Sequence, residues 1–288
     1  VLLRQKVLLS LLQLAGRPVE QLEFIQWAFV LKNDFPSEGG SAFYDFVTHY
    51  DGPYSFTLNH EAGKLESDGL LIATETTWEA TQGDWPKSLE PAVLRDVSTI
   101  IRKFKSVPAD QVLDGIYARF PEYAVLSKRK KLVERSTAEL AVYTAGYEGL
   151  SVDAFLEGLI ANGIHQLIDV RMNPVARRFG FHKSTLSRLC GELGISYVHV
   201  PQLGIHSSLR QELNDQDSYE ELFRQYRRST LKTETEAIDI VARLVQQKPS
   251  VLVCMEACAD QCHRKHLAKV VAEQTGLEVW HIEAEAVV

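Results

Sequence analysis

Apolar residues recur at helical spacing through the first part of the chain, whereas beyond residue 137 short apolar runs of strand length alternate with helical patterns. That change of period predicts two domains, 1–136 and 137–288. In the first, Val1 to Ala15 places apolar residues on one helical face and Gly16 stops it. Pro18, suited to a first helical position, predicts a second helix running to about Lys32. A third helical-period stretch, Ser41 to Tyr50, ends at Asp51-Gly52-Pro53, and Ser55 predicts the cap of a fourth helix running to about Asp68. Gly69 to Ala80, GLLIATETTWEA, alternates and is rich in β-branched residues, which predicts a small ribbon. Two further helices are expected between Pro91 and Tyr123, the second opening at Pro108.

Helices followed by a helix and a β-ribbon describe a winged helix-turn-helix with Ser55 to Glu66 as its recognition helix. The segment FYDFVTHYDGPYSFTLNHEAGKLESDGLL resembles the winged-helix part of antitoxin and regulator-type proteins. Between Ser55 and Asp68, Lys64 stands against Glu61, Glu66 and Asp68, whereas contacts to phosphate and to base edges rely on Arg and Lys. DNA binding by this module is therefore expected to be weak, and protein docking is the alternative. The basic run Ser127 to Lys131 reads either as a solvated linker or helix face or as a nucleic-acid contact.

The second domain predicts strands near Leu140–Ala145, Gln166–Val170, Ser196–Val200, Val251–Cys254 and Glu278–Ile282. Helices are expected from Ser151, from about His182, across Ser218–Gln247 and from Asp260. Such alternation implies an α/β fold, a mainly parallel sheet with helices on both faces.

Composition adds limits. With 288 residues, 45% hydrophobic and 24% charged, the chain is long enough for two cores. A net charge of −7 argues against wholesale coating of nucleic acid and leaves room for a local basic patch. No apolar run approaches the roughly 18 to 20 residues of a membrane span, and Arg4, Gln5 and Lys6 interrupt the first helix in a way foreign to a signal peptide. A cytoplasmic protein is expected. Cys254, Cys258 and Cys262 cluster while Cys190 stands apart, which suits a reducing compartment and reactive or ligating thiols.

Parallel strands present their carboxyl ends at one edge, where ligands meet helix amino termini. Four segments fall there. Thr144, Gly146 and Tyr147 end the first strand, where glycine allows close approach to a ligand or simply a tight turn. Asp169 and Arg171 end the second, either pairing with each other or serving as proton carrier and anion ligand. Arg177, Arg178, Phe179 and Phe181 follow on one loop, a set suited to phosphate contact and base stacking. His199 reads as a satisfied core histidine or a proton carrier.

The fourth segment is VLVCMEACADQCHRKHLAK, Val251 to Lys269. Asp260 as N-cap would put Cys262 and His263 in the first helical turn, where the dipole and Arg264 would lower the thiol pKa. Three readings stay open: buried structural cysteines, a thiolate or anion-binding active site, and metal ligation by Cys254, Cys258 and Cys262 with His263 or His266. Cys258 to Arg264 also fits C-x5-R, the spacing in which a thiolate and an arginine share a phosphate.

Together these segments resemble the domain-of-unknown-function family 488. The resemblance rests on YTAGY, DVRMNP, GFHKSTL, GISYVHVPQLG and CMEACADQCHR, over roughly residues 141 to 284. It implies a small α/β domain with the DVR and CHR segments grouped and leaves the activity unsettled. The family pattern has a proline between Cys-x-Glu and Cys-His-Arg; here Ala259 and its neighbours replace it and Cys258 is added, so C-x5-R rests on a residue outside the pattern.

The resulting expectation is an enzyme acting on a nucleotide, nucleic acid or other phosphorylated ligand. Cys254 or Cys262 would be the nucleophile, His263 or Asp169 would move protons, and Arg171 and Arg264 would bind the anion. The alternatives are a ligand-sensing regulator or defence-type interaction protein without catalysis, and a metal-binding cysteine site.

Overall fold

The computed structural model describes residues 1–130, 132–206, 209 and 216–283, which form two compact units, 1–134 and 135–288. Lys131 of the basic run lies outside the described residues.

In the first unit α1 (Leu3–Ala15) ends at Gly16, whose φ of 67° is the left-handed conformation that glycine adopts without steric cost. The second helix starts later than Pro18 suggests. Val19–Glu20 first pairs as β1 with Thr77–Trp78, and α2 (Gln21–Asp34) follows with residues 23–31 all buried. Ser41–Tyr50 is not helical. Its aromatics Phe43, Tyr44 and Phe46 enter the core from a loop. Val47–His49 (β2) then pairs antiparallel with Gly52–Tyr54 (β3), because Gly52, at φ 111°, turns the chain back. The side-chain oxygen of Ser55 accepts from the Leu58 amide at 3.3 Å and caps α3 (Phe56–Ser67). The ribbon β4 (Leu71–Ala73) and β5 (Thr77–Ala80) completes a three-stranded sheet in the order β1-β5-β4. Helices α4 (Pro91–Phe104) and α5 (Ala109–Arg119) pack on α2, and the bidentate Arg4–Glu61 pair with the Tyr44 hydroxyl ties α1 to α3.

The second unit is the expected α/β domain. Its strands are β6 (Val142–Gly146), β7 (Gln166–Asp169), β8 (Ser196–His199), β9 (Ser250–Cys254) and β10 (Val279–Ile282), all parallel, in the order β10-β6-β9-β7-β8. The connections are α6 (Val152–Ala161), α7 (Lys183–Glu192), the run α8 (Gln216–Arg228), α9 (Thr230–Thr233) and α10 (Thr235–Gln247), and α11 (His263–Thr275). Strand β9 is buried throughout because it lies between β6 and β7, which is why its sequence is an unbroken apolar run. Leu252 joins the core formed with Val241 of α10 and Leu267 and Val271 of α11. Side chains alternate along a strand, so Cys254 shares that face of the sheet.

Gly146 is dictated by packing. A Cβ there would sit 1.8 Å from the carbonyl oxygen of Glu256, whereas nothing lies within 4 Å of a Cβ added at Gly158 in α6. Gly146→Ala should therefore cost about 1–3 kcal/mol as an overpacking change, and Gly158→Ala should be neutral or gain up to about 1 kcal/mol. Urea unfolding of both variants checks the contrast; equal effects would contradict it.

Candidate functional site

Sheet register sets the floor of the site. Gly146 lies opposite Cys254, and Asp169 lies opposite both Val253 and His199, so four strand ends stand level at one edge. The segment after β9 turns back across β6. There the amides of Tyr147 and Glu148 donate to the Met255 carbonyl at 3.1 and 2.8 Å, and the Ala257 amide donates to the Glu148 carboxylate at 3.0 Å.

Two polar clusters stand on this floor. In the first, Arg171 donates through Nε and Nη2 to both oxygens of Asp169, and through Nη1 to the Tyr147 hydroxyl and the Phe181 carbonyl at 2.8 and 2.9 Å. Tyr197 donates its hydroxyl to Asp169 at 2.7 Å; burial first, and then that carboxylate, push the phenol pKa up. The Tyr147 ring stacks on Phe181 with centroids 4.0 Å apart and planes 11° from parallel. Asp169 is 0% exposed and Arg171 7%, and a pair this deep is held by its full complement of hydrogen bonds.

The second cluster joins the end of β9 to the start of α11. Cys254 and Cys262 each place Sγ 3.0 Å from the same oxygen of Glu256 and 3.8 Å from Nδ1 of His263. The ligand atoms of Cys254, Cys262 and His263 all lie within 4.8 Å of one another, and all three residues are buried. His263 Nε2 faces the Val170 carbonyl at 3.2 Å. A carbonyl only accepts, so that nitrogen carries a proton, and Nδ1, when the ring is neutral, turns its lone pair toward the sulfurs. Arg264, 1% exposed, donates to the carbonyls of Glu256 and Ala257; its Nε has no partner and no carboxylate pairs with it among the described residues.

Residues 151–271 match the family model described as Domain of unknown function DUF488. No curated protein and no solved structure matches the chain. The DUF488 region runs from the cap of α6 into α11. It takes in Asp169, Arg171 and the whole cysteine cluster, and leaves Thr144, Gly146 and Tyr147 just ahead of it.

Several expected roles change in the DUF488 region and beside it. Arg171 and Arg264 are engaged by protein groups and are not free anion ligands, and Asp169 is locked by a guanidinium and a phenol rather than poised to move protons. Phe181 lies beneath Tyr147, unable to stack a base. Thr144 is buried with its hydroxyl 2.7 Å from Nδ1 of His281, and Gly146 accommodates the Glu256 carbonyl instead of a ligand. His199 contacts the Arg171 carbonyl at 2.8 Å, a satisfied structural histidine.

Asp260 does not cap α11. It lies in a 3-10 turn, pairs with Lys265, and leaves Cys262 at the N-cap with His263 as the first helical residue. The Cys262 thiol pKa is raised, not lowered: burial dominates, and Cys254 and Glu256 push the same way against Arg264. Cys258 is exposed, so it shares no buried phosphate cradle with Arg264. His266 lies apart from the cluster, against Phe223 and Arg227. Arg177 and Arg178 are exposed.

Glu256 is the residue that sequence reading left without a role. Its signal was present in Cys-x-Glu at a strand end followed by Cys-His, but only the reversal of the chain over Gly146 turns that carboxylate onto both thiols.

Asp169→Asn should destabilise the domain by about 3–5 kcal/mol, since it leaves the buried Arg171 charge uncompensated. Adding Arg171→Met should recover part of the loss. Denaturant unfolding of the single and double variants measures both, and a single-variant loss below about 1 kcal/mol would contradict the pairing.

Proposed function

We propose that the C-terminal unit works through a bound divalent cation of the zinc type, held by Cys254, Cys262 and His263 with Glu256 as a fourth, exchangeable donor. The observation that carries this reading is the convergence of two thiols, an imidazole lone pair and a carboxylate at one buried point. Zinc sites place sulfur at about 2.3 Å and nitrogen at about 2.0 Å in a tetrahedron, which separates neighbouring donors by about 3.5–3.8 Å. The two Sγ–Nδ1 separations of 3.8 Å have that spacing. The Val170 carbonyl supplies the outer hydrogen bond that fixes a metal-ligating histidine.

Charge supports the same reading. Two thiolates, one carboxylate and a dication sum to −1, and the buried guanidinium of Arg264 beside them supplies the opposite charge.

Three firm donors and an exchangeable carboxylate resemble catalytic more than closed structural sites. A cation bound there supplies a Lewis acid at the strand-end edge, suited to polarising a phosphoryl or carbonyl oxygen. The buried thiols are then ligands rather than nucleophiles, and the reaction class favoured is metal-assisted attack on a phosphoryl or carbonyl centre. Protein purified without chelator should carry about one equivalent of zinc by elemental mass spectrometry. Cys254→Ser, Cys262→Ser and His263→Ala should each abolish it, Cys258→Ser should not, and Arg264→Gln should weaken binding about 10–100-fold. Iodoacetamide should label Cys258 at once and reach Cys254 and Cys262 only after chelation. Metal-free protein that takes up no zinc or cobalt would reject the proposal.

For the first unit, we read the connectivity α1-β1-α2-β2-β3-α3-β4-β5, with strand order β1-β5-β4 in the three-stranded sheet, as that of a winged helix that docks protein rather than DNA. The support is the exposed side of α3, where Asn59, Gly63, Lys64, Glu66 and Ser67 offer one cation. Duplex DNA binding by the full chain that Lys64→Ala abolishes would contradict this.

A further inference from the structure

The loop between β7 and α7 is the place where cations collect without acids. Residues 170–191 contain no Asp or Glu and carry Arg171, Arg177, Arg178, Lys183 and Arg188. Arg171 is neutralised by Asp169, and Arg188 forms an i,i+4 pair with Glu192. Arg177, Arg178 and Lys183 remain, all exposed, with no side-chain hydrogen bond or ion pair to any described residue. Elsewhere exposed cations are commonly matched, as in Arg129 with Asp110, Lys130 with Asp114, Arg224 with Glu221 and Lys265 with Asp260. A chain with 38 acidic and 31 basic residues thus leaves three unneutralised cations within seven positions.

Topology gives this patch its place. The loop leaves β7 at Asp169, and β7 is the parallel neighbour of β9, so it rises from the same sheet edge as the cysteine cluster. Between the cations stands Phe179, half-buried, and the backbone is pinned where the Lys183 amide donates to the Pro174 carbonyl at 3.0 Å. Guanidinium groups bind phosphate oxygens through two parallel N–H donors, and an aromatic ring among them offers a face to a base.

We propose that this loop binds the phosphodiester backbone of single-stranded nucleic acid and lays it along the strand-end edge. A polymer fits better than a mononucleotide because the cations lie spread over an open surface. It fits better than an acidic peptide because an aromatic residue stands among planar, phosphate-matching donors. The inference rests on the loop alone and does not require the metal reading.

Three phosphate contacts predict that log K falls against log salt with a slope of about −2 for a single strand, so raising salt from 50 to 200 mM weakens binding about twentyfold. Fluorescence anisotropy of the full chain with labelled oligothymidylate measures this. R177Q/R178Q/K183Q should remove most of the slope and affinity, with an unchanged circular dichroism spectrum. R177K/R178K should keep the slope while losing some affinity, and Arg188→Gln should leave both intact. Chelator-treated protein with an unchanged circular dichroism spectrum should bind the oligonucleotide as untreated protein does, which separates this result from the fate of the metal site. The proposal is overturned by absence of salt-dependent binding, or by a glutamine variant that keeps the parent's slope. Competition by thymidine monophosphate as effective as by the oligonucleotide would overturn it in favour of a small phosphorylated ligand; equal competition by polyglutamate would do so in favour of an acidic protein partner.

Discussion

The carbonyl of Glu256 lies where a side chain on residue 146 would begin, and the strand-end edge of the second unit is organised around that crossing. A parallel strand must hand its chain to a helix on one face of the sheet. Here the connection first folds over the neighbouring strand β6, accepts two backbone hydrogen bonds there and is held from below by Arg264. The reversal brings Cys254, at the end of β9, against Cys262 and His263 at the start of α11, and points Glu256 inward.

Two polar clusters share this edge and balance their charge differently. Asp169 and Arg171 neutralise each other and saturate their remaining hydrogen-bonding capacity with Tyr147, Tyr197 and the Phe181 carbonyl, so the pair is a rigid girder between β7, β8 and β6. The cysteine cluster gathers donors of negative or lone-pair character around one point and sets a buried guanidinium beside them. A closed hydrogen-bond account suits structure. That closure is why the DVR segment reads as scaffold.

Local pattern made much of this legible. Strand β9 of the second unit announced itself because burial on both faces demands an unbroken apolar run. Ser55 and Ser151 announced helix starts because a hydroxyl oxygen at that position satisfies an amide two or three residues on. Ser41–Tyr50 misled because apolar spacing shows which residues are buried without showing how the chain reaches the core; the aromatics get there from a loop. Asp260 misled for a related reason: a good capping residue caps only if the helix begins beside it, and a 3-10 turn intervenes.

The sequence by itself determined the alternation of strands and helices, the common edge of the strand ends and the presence there of thiols, imidazole and guanidinium, since each follows from period and order along the chain. Only the tertiary structure decided which of those groups face one another. It turned Arg171 onto Asp169 and Phe181 beneath Tyr147, left Cys258 in solvent, and raised the Cys262 thiol by burial where helix position alone predicted the reverse. The physical reason is that a side chain's role depends on desolvation and on partners distant in sequence, and both are set by how loops cross the sheet rather than by the spacing of residues along it.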